Sequence, residues 1–352
     1  MTRTSAALGL PFLAGLACVA VLAGGPAQAG ETTVVASAAA QPAAPPPLAL
    51  SQRVLEAASL FRAYMRRATS IGADFKSGQQ VEEGLLAGES YEPQQLSKGA
   101  IAYAALIALQ EPTFVAGVRS YGVNADTRRQ IVERLLSDPS YAAAFPGAAA
   151  AAGAIQATLA AEAQKLHVSG HAVKMSAYSV QHQAWSKGKI INPAQRMSLA
   201  KSVSAAPMAP AAAEAEALRA AVTGAAQLEV VRGPDLPGPY TPLVSRALAI
   251  AALSALGQAG DDQDANIQTL LAEATDGFCL NMAKLNLYQC LAVAGPWYED
   301  VFCLGEHVLM DTAQCVAKSA GAPPLEAPLT RAAFASAAPA EREPRKSRVR
   351  SR

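Results

Sequence analysis

Four cysteines in residues 279–315 constrain the fold of this chain more than any other feature. They are Cys279, Cys290, Cys303 and Cys315, and the only other cysteine, Cys18, lies in an apolar segment near the N-terminus. Disulfides persist in oxidising compartments, where clustered cysteines serve as covalent cross-links. The clustering therefore predicts a cross-linked C-terminal region in an exported protein.

The sequence around these cysteines predicts two helices, over residues 261–293 and 296–318, that form an antiparallel hairpin about Gly295-Pro296. Cys279 and Cys290 would be about 16 Å apart on one helix, which a disulfide cannot bridge. Crossed pairing would need parallel helices. The hairpin therefore favours nested bridges, Cys279 with Cys315 and Cys290 with Cys303.

One feature of the second helix resists this pairing. The twelve residues from Cys303 to Cys315 rotate an α-helical face by about 120°, so Gly305 is the expected point of adjustment. The topology is similar to the twin-cysteine hairpins of coiled-coil-helix-coiled-coil-helix proteins, although the spacings differ. A zinc site is the alternative, but the close Cys-x-x-Cys pairs typical of structural zinc are missing from the sequence.

Residues 1–29 have the layout of a signal peptide, with Arg3 before an apolar run and Ala27-Gln28-Ala29 as a small-residue cleavage site. This predicts a periplasmic or secreted protein of the bacterial envelope, with a retained signal anchor as the alternative. The most apolar later segments, 99–109 and 247–256, are half the length of a bilayer crossing. No transmembrane segment is expected after cleavage.

The fold class expected for the mature chain is all-α, an irregular multi-helix array in two units. Val54, Ala58, Phe61 and Met65 repeat with helical spacing, and strand-like alternation is absent from the sequence. Abundant alanine favours helices that approach each other closely. Further helices are expected over residues 94–110, 125–137, 148–166, 171–187, 194–203 and 211–229.

Composition divides the chain into segments. An Ala/Pro-rich disordered leader follows the signal, a Pro/Gly-rich linker separates two helical domains, and a loose tail ends in six Lys or Arg and two Glu over residues 341–352. Residues 102–109 and 249–256 agree at six of eight positions, which indicates an internal duplication or a chance match between Ala-rich helices. The predicted segments are leader 30–50, N-terminal domain 51–232, linker 233–242, C-terminal domain 243–320 and tail 321–352.

The segment Glu89-Ser90-Tyr91-Glu92-Pro93, followed by Ser97-Lys98-Gly99-Ala100, resembles the catalytic segment of lytic transglycosylases. The resemblance covers about thirteen residues and implies that Glu89 is a general acid that protonates a glycosidic oxygen. The family's Gly-Leu-Met-Gln continuation is replaced by Ala102-Tyr103-Ala104-Ala105, and no Tyr-Asn-Ala-Gly segment follows. The structural alternative is a surface turn before a helix.

Three histidines would share one face of a continuous helix and form a second weak candidate: His167, His171 and His182. His167 and His171 could hold a metal ion or haem with ligands from elsewhere, whereas His182 lies too far along the axis to join them. Polar surface histidines are the commoner outcome. Four aromatic residues either line a ligand groove or, as is commoner, fill the core: Trp185, Trp297, Tyr298 and Phe302.

No nucleotide-binding or common hydrolase motif is found in the sequence, so neither a cofactor nor nucleic-acid binding is expected. The leading hypothesis is a non-catalytic envelope protein that binds or scaffolds another protein or the cell wall. A glycan-cleaving enzyme using Glu89 and a metal or haem carrier using His167 and His171 remain alternatives. The sequence leaves the oligomeric state open.

Overall fold

The computed structural model describes residues 46–272 and 277–326. All regular secondary structure in these residues is helical, apart from an isolated antiparallel bridge between Lys189 and Pro296, which confirms the all-α fold class. The α-helices are α1 (Gln52–Thr69), α2 (Gly78–Glu89), α3 (Pro93–Ala108), α4 (Pro112–Tyr121), α5 (Ala125–Ser137), α6 (Ala148–Val180), α7 (Pro193–Ala205), α8 (Ala212–Val222), α9 (Pro242–Ala255), α10 (Asp264–Leu271), α11 (Gly277–Val293), α12 (Trp297–Cys303) and α13 (Asp311–Ser319). A π-helical segment, Leu304–Met310, joins α12 to α13, and short 3₁₀ turns occupy Pro139–Ala144, Trp185–Lys187 and Asp261–Gln263.

Local capping explains where the central helices begin. Ser51 accepts a hydrogen bond from the Val54 amide at the start of α1. Glu92 and Thr241 cap α3 and α9, each with a proline in the first turn. Proline lacks the amide hydrogen that a first-turn residue would leave unpaired, so it fits this position.

Helices α3 and α9 pack against each other at the centre of one hydrophobic core. Alanine makes this close contact possible because its small side chain allows the helix backbones to approach each other. Gly99 of α3 serves the same end against α1, since a Cβ atom there would lie 2.6 Å from the carbonyl oxygen of Ala57. The residues with 0% exposure include Ala102, Ala104, Ala105, Ala108, Ala247, Ala249, Ala251 and Ala252.

Helix α6 differs from the prediction, which divided it into helices over 148–166 and 171–187. It is one continuous helix that passes through Gly170 and packs against α12, the π-helical segment and α13. Gly170 faces Gly305 of the π-helical segment, and a Cβ atom on Gly305 would lie 2.3 Å from the Lys174 amide nitrogen. The glycine that would weaken an isolated helix is therefore the residue that permits this crossing.

The π-helical segment resolves the rotational mismatch between Cys303 and Cys315. An α-helix turns by about 100° per residue, whereas a π-helix, with about 4.4 residues per turn, turns by about 82°. Over the seven residues of Leu304–Met310 this difference amounts to roughly 125°, close to the mismatch of about 120°. Cys303 and Cys315 consequently face α11 together.

Other helix boundaries also depart from the sequence predictions. Helices α2 and α4 were not predicted. Helix α8 was expected to end near Glu229 but ends at Val222, two residues before Gly224, which adopts a positive φ of 77°. The helix predicted over residues 261–293 is instead divided into α10 and α11.

Several predictions concern residues outside the described ranges. The signal peptide, the leader up to residue 45 and the tail beyond residue 326 are among them. Residues 233–242 are described and have no regular structure, and helices on both sides of them contribute to the shared core. The division into two separately folding domains stays a prediction.

Within residues 46–272 and 277–326, no single helix is long and apolar enough to span a membrane. Only α3 and α4 taken together reach the necessary length and composition, and an 87° bend separates them.

Candidate functional site

Glu89, the candidate general acid, lies inside the molecule at the C-terminal end of α2. Its side chain is 1% exposed, so this carboxyl does not lie at the surface, although residues 90–92 form a short connection before α3. One carboxylate oxygen, Oε2, accepts a hydrogen bond from Ser204 Oγ at 3.2 Å. The other, Oε1, has no hydrogen-bond partner among the described residues.

Lys284 completes this buried group and is the only charged residue of α11. Its Nζ donates hydrogen bonds of 2.9 Å to the Glu89 backbone carbonyl oxygen and to Ser204 Oγ. The same Nζ lies 3.7 Å from the centre of the Tyr91 ring, a distance at which the ring face attracts a cation. We refer to Glu89, Ser204 and Lys284 as the Glu89 cluster.

Burial moves the pKa values of both ionisable members of the Glu89 cluster towards neutrality. Desolvation raises the pKa of Glu89 to about 7, and the charge of Lys284 and the Ser204 hydrogen bond oppose the rise. Desolvation lowers the pKa of Lys284 to about 8, against the attraction of Glu89. The Glu89 cluster therefore has the acid–base properties that proton transfer near pH 7 requires.

A second buried ionic contact lies close to the Glu89 cluster. Arg196 Nη1 contacts Asp300 Oδ1 at 2.6 Å and Oδ2 at 2.5 Å, and its Nη2 donates to the Leu291 carbonyl oxygen. Burial raises the pKa of Asp300 to about 6, although Arg196 opposes the change. Asp300 in turn contributes to the raised pKa of Glu89.

The segment that resembles lytic transglycosylases keeps its Glu89 at the end of one helix and its Pro93 at the start of the next. Between them, Tyr91 is buried and its hydroxyl lies 3.1 Å from Thr312 Oγ1. Helix α7, which carries Ser204, packs over the end of α2 and against α11. A glycan therefore has no access to the Glu89 carboxyl while α7 holds this position.

His167 and His171 lie one turn apart on the continuous helix α6. His167 is buried on α6, and burial lowers its pKa, assisted by His171, while His182 lies beyond the end of α6. Glu306, across from His167, is paired with Lys174 at 2.6 Å. In the part of the chain that the structure describes, no group of three His, Cys, Asp or Glu side chains could hold a metal ion.

The two disulfides join Cys279 to Cys315 and Cys290 to Cys303, the nested arrangement. They fasten α11 to α13 near one end and to α12 near the other. Helix α11 is thus held at both ends by covalent bonds, which limit its displacement relative to the rest of the hairpin.

One surface of α11 is not covered by any other described residue. Its exposed residues lie within an arc of about 120° on a 100° helical wheel, and none carries a charge. Phe278 is 69% exposed, Leu285 44% and Val293 83%. We call this surface the outer face of α11, and it consists of Phe278, Asn281, Met282, Leu285, Gln289, Ala292 and Val293.

A cleft flanks α11 beside each disulfide. The cleft beside Cys279–Cys315, of about 420 Å³, reaches Met282. The cleft beside Cys290–Cys303, of about 350 Å³, lies between α11 and the end of α6 and reaches Val293. Tyr298 and Phe302 line this second cleft, and all four candidate aromatic residues, Trp185 and Trp297 included, also pack against the core.

Sequence reasoning missed Ser204, Lys284 and the outer face of α11. The first two lie far from Glu89 in the chain, so no local motif joins them. A lone lysine in an otherwise uncharged helix was the available signal for Lys284, and the i, i+4, i+7 spacing of Phe278, Met282 and Leu285 was the signal for the outer face.

No protein-family model, curated protein or solved structure matches this chain.

Proposed function

We propose that this protein is a non-catalytic binding protein that works outside the cytoplasmic membrane and holds a helical segment of another protein against the outer face of α11. The observation that carries the proposal is that seven neighbouring exposed residues of one helix include no charged residue. Helices with a solvent-facing side normally carry charged and polar residues there. Contiguous exposed apolar surface commonly marks an interaction site.

The chemistry of the outer face indicates an uncharged, apolar partner. A charged partner residue placed against Leu285 would lose its hydration without gaining a counter-charge from this face. The ridge of α11 with a cleft on either side also suits a second helix, because helices pack with the ridges of one in the grooves of the other. Each cleft is large enough to receive an apolar side chain from such a helix.

A cell-wall glycan fits this surface less well than a protein does. Sugars are bound through hydrogen-bonding groups and aromatic rings, whereas the outer face offers a single aromatic ring, Phe278, and two amides, Asn281 and Gln289. The remaining side chains are aliphatic or Met282. Burial of such side chains contributes about 25 cal/mol per Å², which favours a dry protein contact.

The disulfides support both the compartment and the binding role. Two nested bridges are typical of an oxidising space, which agrees with the predicted signal peptide. They also hold α11 in place before a partner arrives, so less conformational freedom is lost on binding.

The proposal is tested by photo-crosslinking in the native host from an amino acid placed at position 285. Position 123 is the control, because Val123 is an apolar side chain, 77% exposed, that lies outside the outer face of α11. Position 285 should yield one discrete cross-linked protein that position 123 does not yield. The cross-linked site on that partner should lie in an uncharged apolar helical segment.

Binding of a synthetic peptide with the sequence of that segment then completes the test. Leu285→Arg should weaken binding to the purified mature protein at least tenfold, whereas Val123→Arg should leave binding and thermal stability unchanged. Cross-links from position 285 only to lipid, to glycan or to a second copy of this chain would overturn the proposal. So would equal peptide binding by the two variants.

Glycan cleavage by Glu89 is a second candidate, favoured by one observation. A carboxyl whose pKa is raised to about 7 can remain protonated near neutral pH, as a general acid must. Digestion of purified peptidoglycan by the mature protein, and its loss in Glu89→Gln, would support this activity. No product from the wild-type protein would dismiss it.

A further inference from the structure

Helix α7 is attached to the rest of the molecule in an unusual way. Its buried residues are Arg196, Ala200 and Ser204, spaced by four so that they form a single inward stripe. Two of the three are polar, whereas α1 turns large apolar side chains such as Phe61 and Met65 inward. Besides the apolar packing of Met197 and Ala200, helix α7 is therefore held by the contacts of Arg196 with Asp300 and of Ser204 with Glu89 and Lys284.

The chain on either side of α7 is also fastened by polar contacts. The Ile190 amide donates to the Gly295 carbonyl oxygen at 3.0 Å. After the helix, the Met208 amide donates to Gln95 Oε1 at 2.7 Å and the Ala211 amide donates to Ser59 Oγ at 3.2 Å. Such hydrogen bonds exchange readily with water, and each contributes only about 1 kcal/mol net.

We propose that α7 is a hinged cover that opens as a unit from the Glu89 cluster and Asp300 while the core formed by α1, α3 and α9 remains folded. Local opening involves the parts of a protein that bury little apolar surface. Opening would hydrate Glu89 Oε1, which has no hydrogen-bond partner among the described residues, and would expose Lys284. These gains offset the hydrogen bonds that opening breaks.

The same contacts make the cover sensitive to pH. In the closed state Glu89 binds its proton more tightly than a solvated glutamate, because its pKa is raised to about 7. Acidification from pH 7.5 to 5.5 therefore favours closure. The lowered pKa of Lys284 has the opposite effect, but at about 8 it lies above this pH range. The other titratable or charged groups near Glu89 are Tyr64, Arg67, Tyr91, Glu92 and Tyr288.

Hydrogen exchange followed by mass spectrometry on the mature, oxidised protein tests the cover. After correction for intrinsic exchange rates, the amides of α7 should open at least tenfold more often than those of α3, which should exchange only on global unfolding. Between pH 7.5 and 5.5 the opening constant of α7 should fall by on the order of tenfold. Glu89→Gln should remove most of this fall, whereas Glu133→Gln, at an exposed position on α5, should retain it.

Equal protection of α7 and α3 would overturn the proposal, as would an unchanged pH dependence in Glu89→Gln. If Glu89→Gln does not fold, Ser204→Ala provides the same test without altering a charge. It removes the hydroxyl that links α7 to Glu89 and Lys284, so the opening constant of α7 should rise severalfold while α3 is unaffected. Unchanged exchange of α7 in that variant would contradict the proposal.

Discussion

Asp300 is fully buried and directs both of its carboxylate oxygens at Arg196. Removing one member of such a pair leaves the other charge buried and unpaired. Asp300→Ala should therefore lower the free energy of unfolding by about 3–5 kcal/mol, measured by urea denaturation followed by circular dichroism. The double variant Arg196→Met with Asp300→Leu should recover most of the loss, and Asp126→Ala, in an exposed ion pair, should cause no comparable change.

Glu89 gives the stability of the whole protein a dependence on pH. Its pKa is raised from 4.5 to about 7 on folding, so its contribution is fully present below about pH 4.5 and is lost as the pH rises through 7. The 2.5 pH units between these values correspond to at most about 3 kcal/mol. The wild-type protein should thus resist urea better at pH 5 than at pH 7.5, and Glu89→Gln should flatten this difference. An identical dependence of stability on pH in the variant would show that folding does not raise the pKa of Glu89.

The crossing of α6 and the π-helical segment depends on two glycines, Gly170 and Gly305. A Cβ atom on Gly305 would lie 2.3 Å from the Lys174 amide nitrogen and 2.7 Å from the Gly170 carbonyl oxygen. Because both are backbone atoms, the helices would have to separate. Gly305→Ala should cost about 1–3 kcal/mol and lower the melting temperature, whereas Gly295→Ala, which meets no atom within 4 Å, should not. Equal melting temperatures would exclude this close crossing.

Helices α3 and α5 could be predicted from sequence because each is a run of mostly helix-favouring residues that begins at a capping side chain. Helix α2 could not, since three of its twelve residues are glycines. Those glycines are explained only by tertiary contacts, with Gly84 against Leu304 and Gly88 against Val308. The predicted break of α6 at Gly170 was wrong for the same reason. Helix propensity includes the destabilising effect of a glycine within a helix, but it does not include the close packing of another helix that the glycine permits.

The two disulfides should contribute unequally to the stability of the protein. The paired cysteines are 36 and 13 residues apart in the sequence. In the chain-entropy account, these loop lengths correspond to stabilisation of about 4 and about 3 kcal/mol. Replacing Cys279 and Cys315 by serine should therefore lower the melting temperature more than replacing Cys290 and Cys303. The reverse order would show that native contacts, rather than the unfolded chain, determine what each bridge contributes.

The candidate site was less predictable than the cross-links. The nested pairing follows from helix geometry, and Glu89 was identified from the segment around it. Its burial and its partners Ser204 and Lys284 depend on how α2, α7 and α11 meet, which no local pattern encodes. The outer face of α11 was obscured because apolar residues occupy both sides of the helix, which leaves no polar side to identify the surface in contact with solvent.

Hydroxyl-radical footprinting determines whether the outer face of α11 is open in the free protein and covered in its native setting. Phe278 and Met282 report on that face, and Tyr121, half exposed on α4, reports on an unrelated surface. In the purified mature protein all three should be oxidised. In intact cells Phe278 and Met282 should be protected while Tyr121 remains reactive. Equal oxidation of Phe278 and Met282 in both settings would contradict the proposal that a partner covers this face.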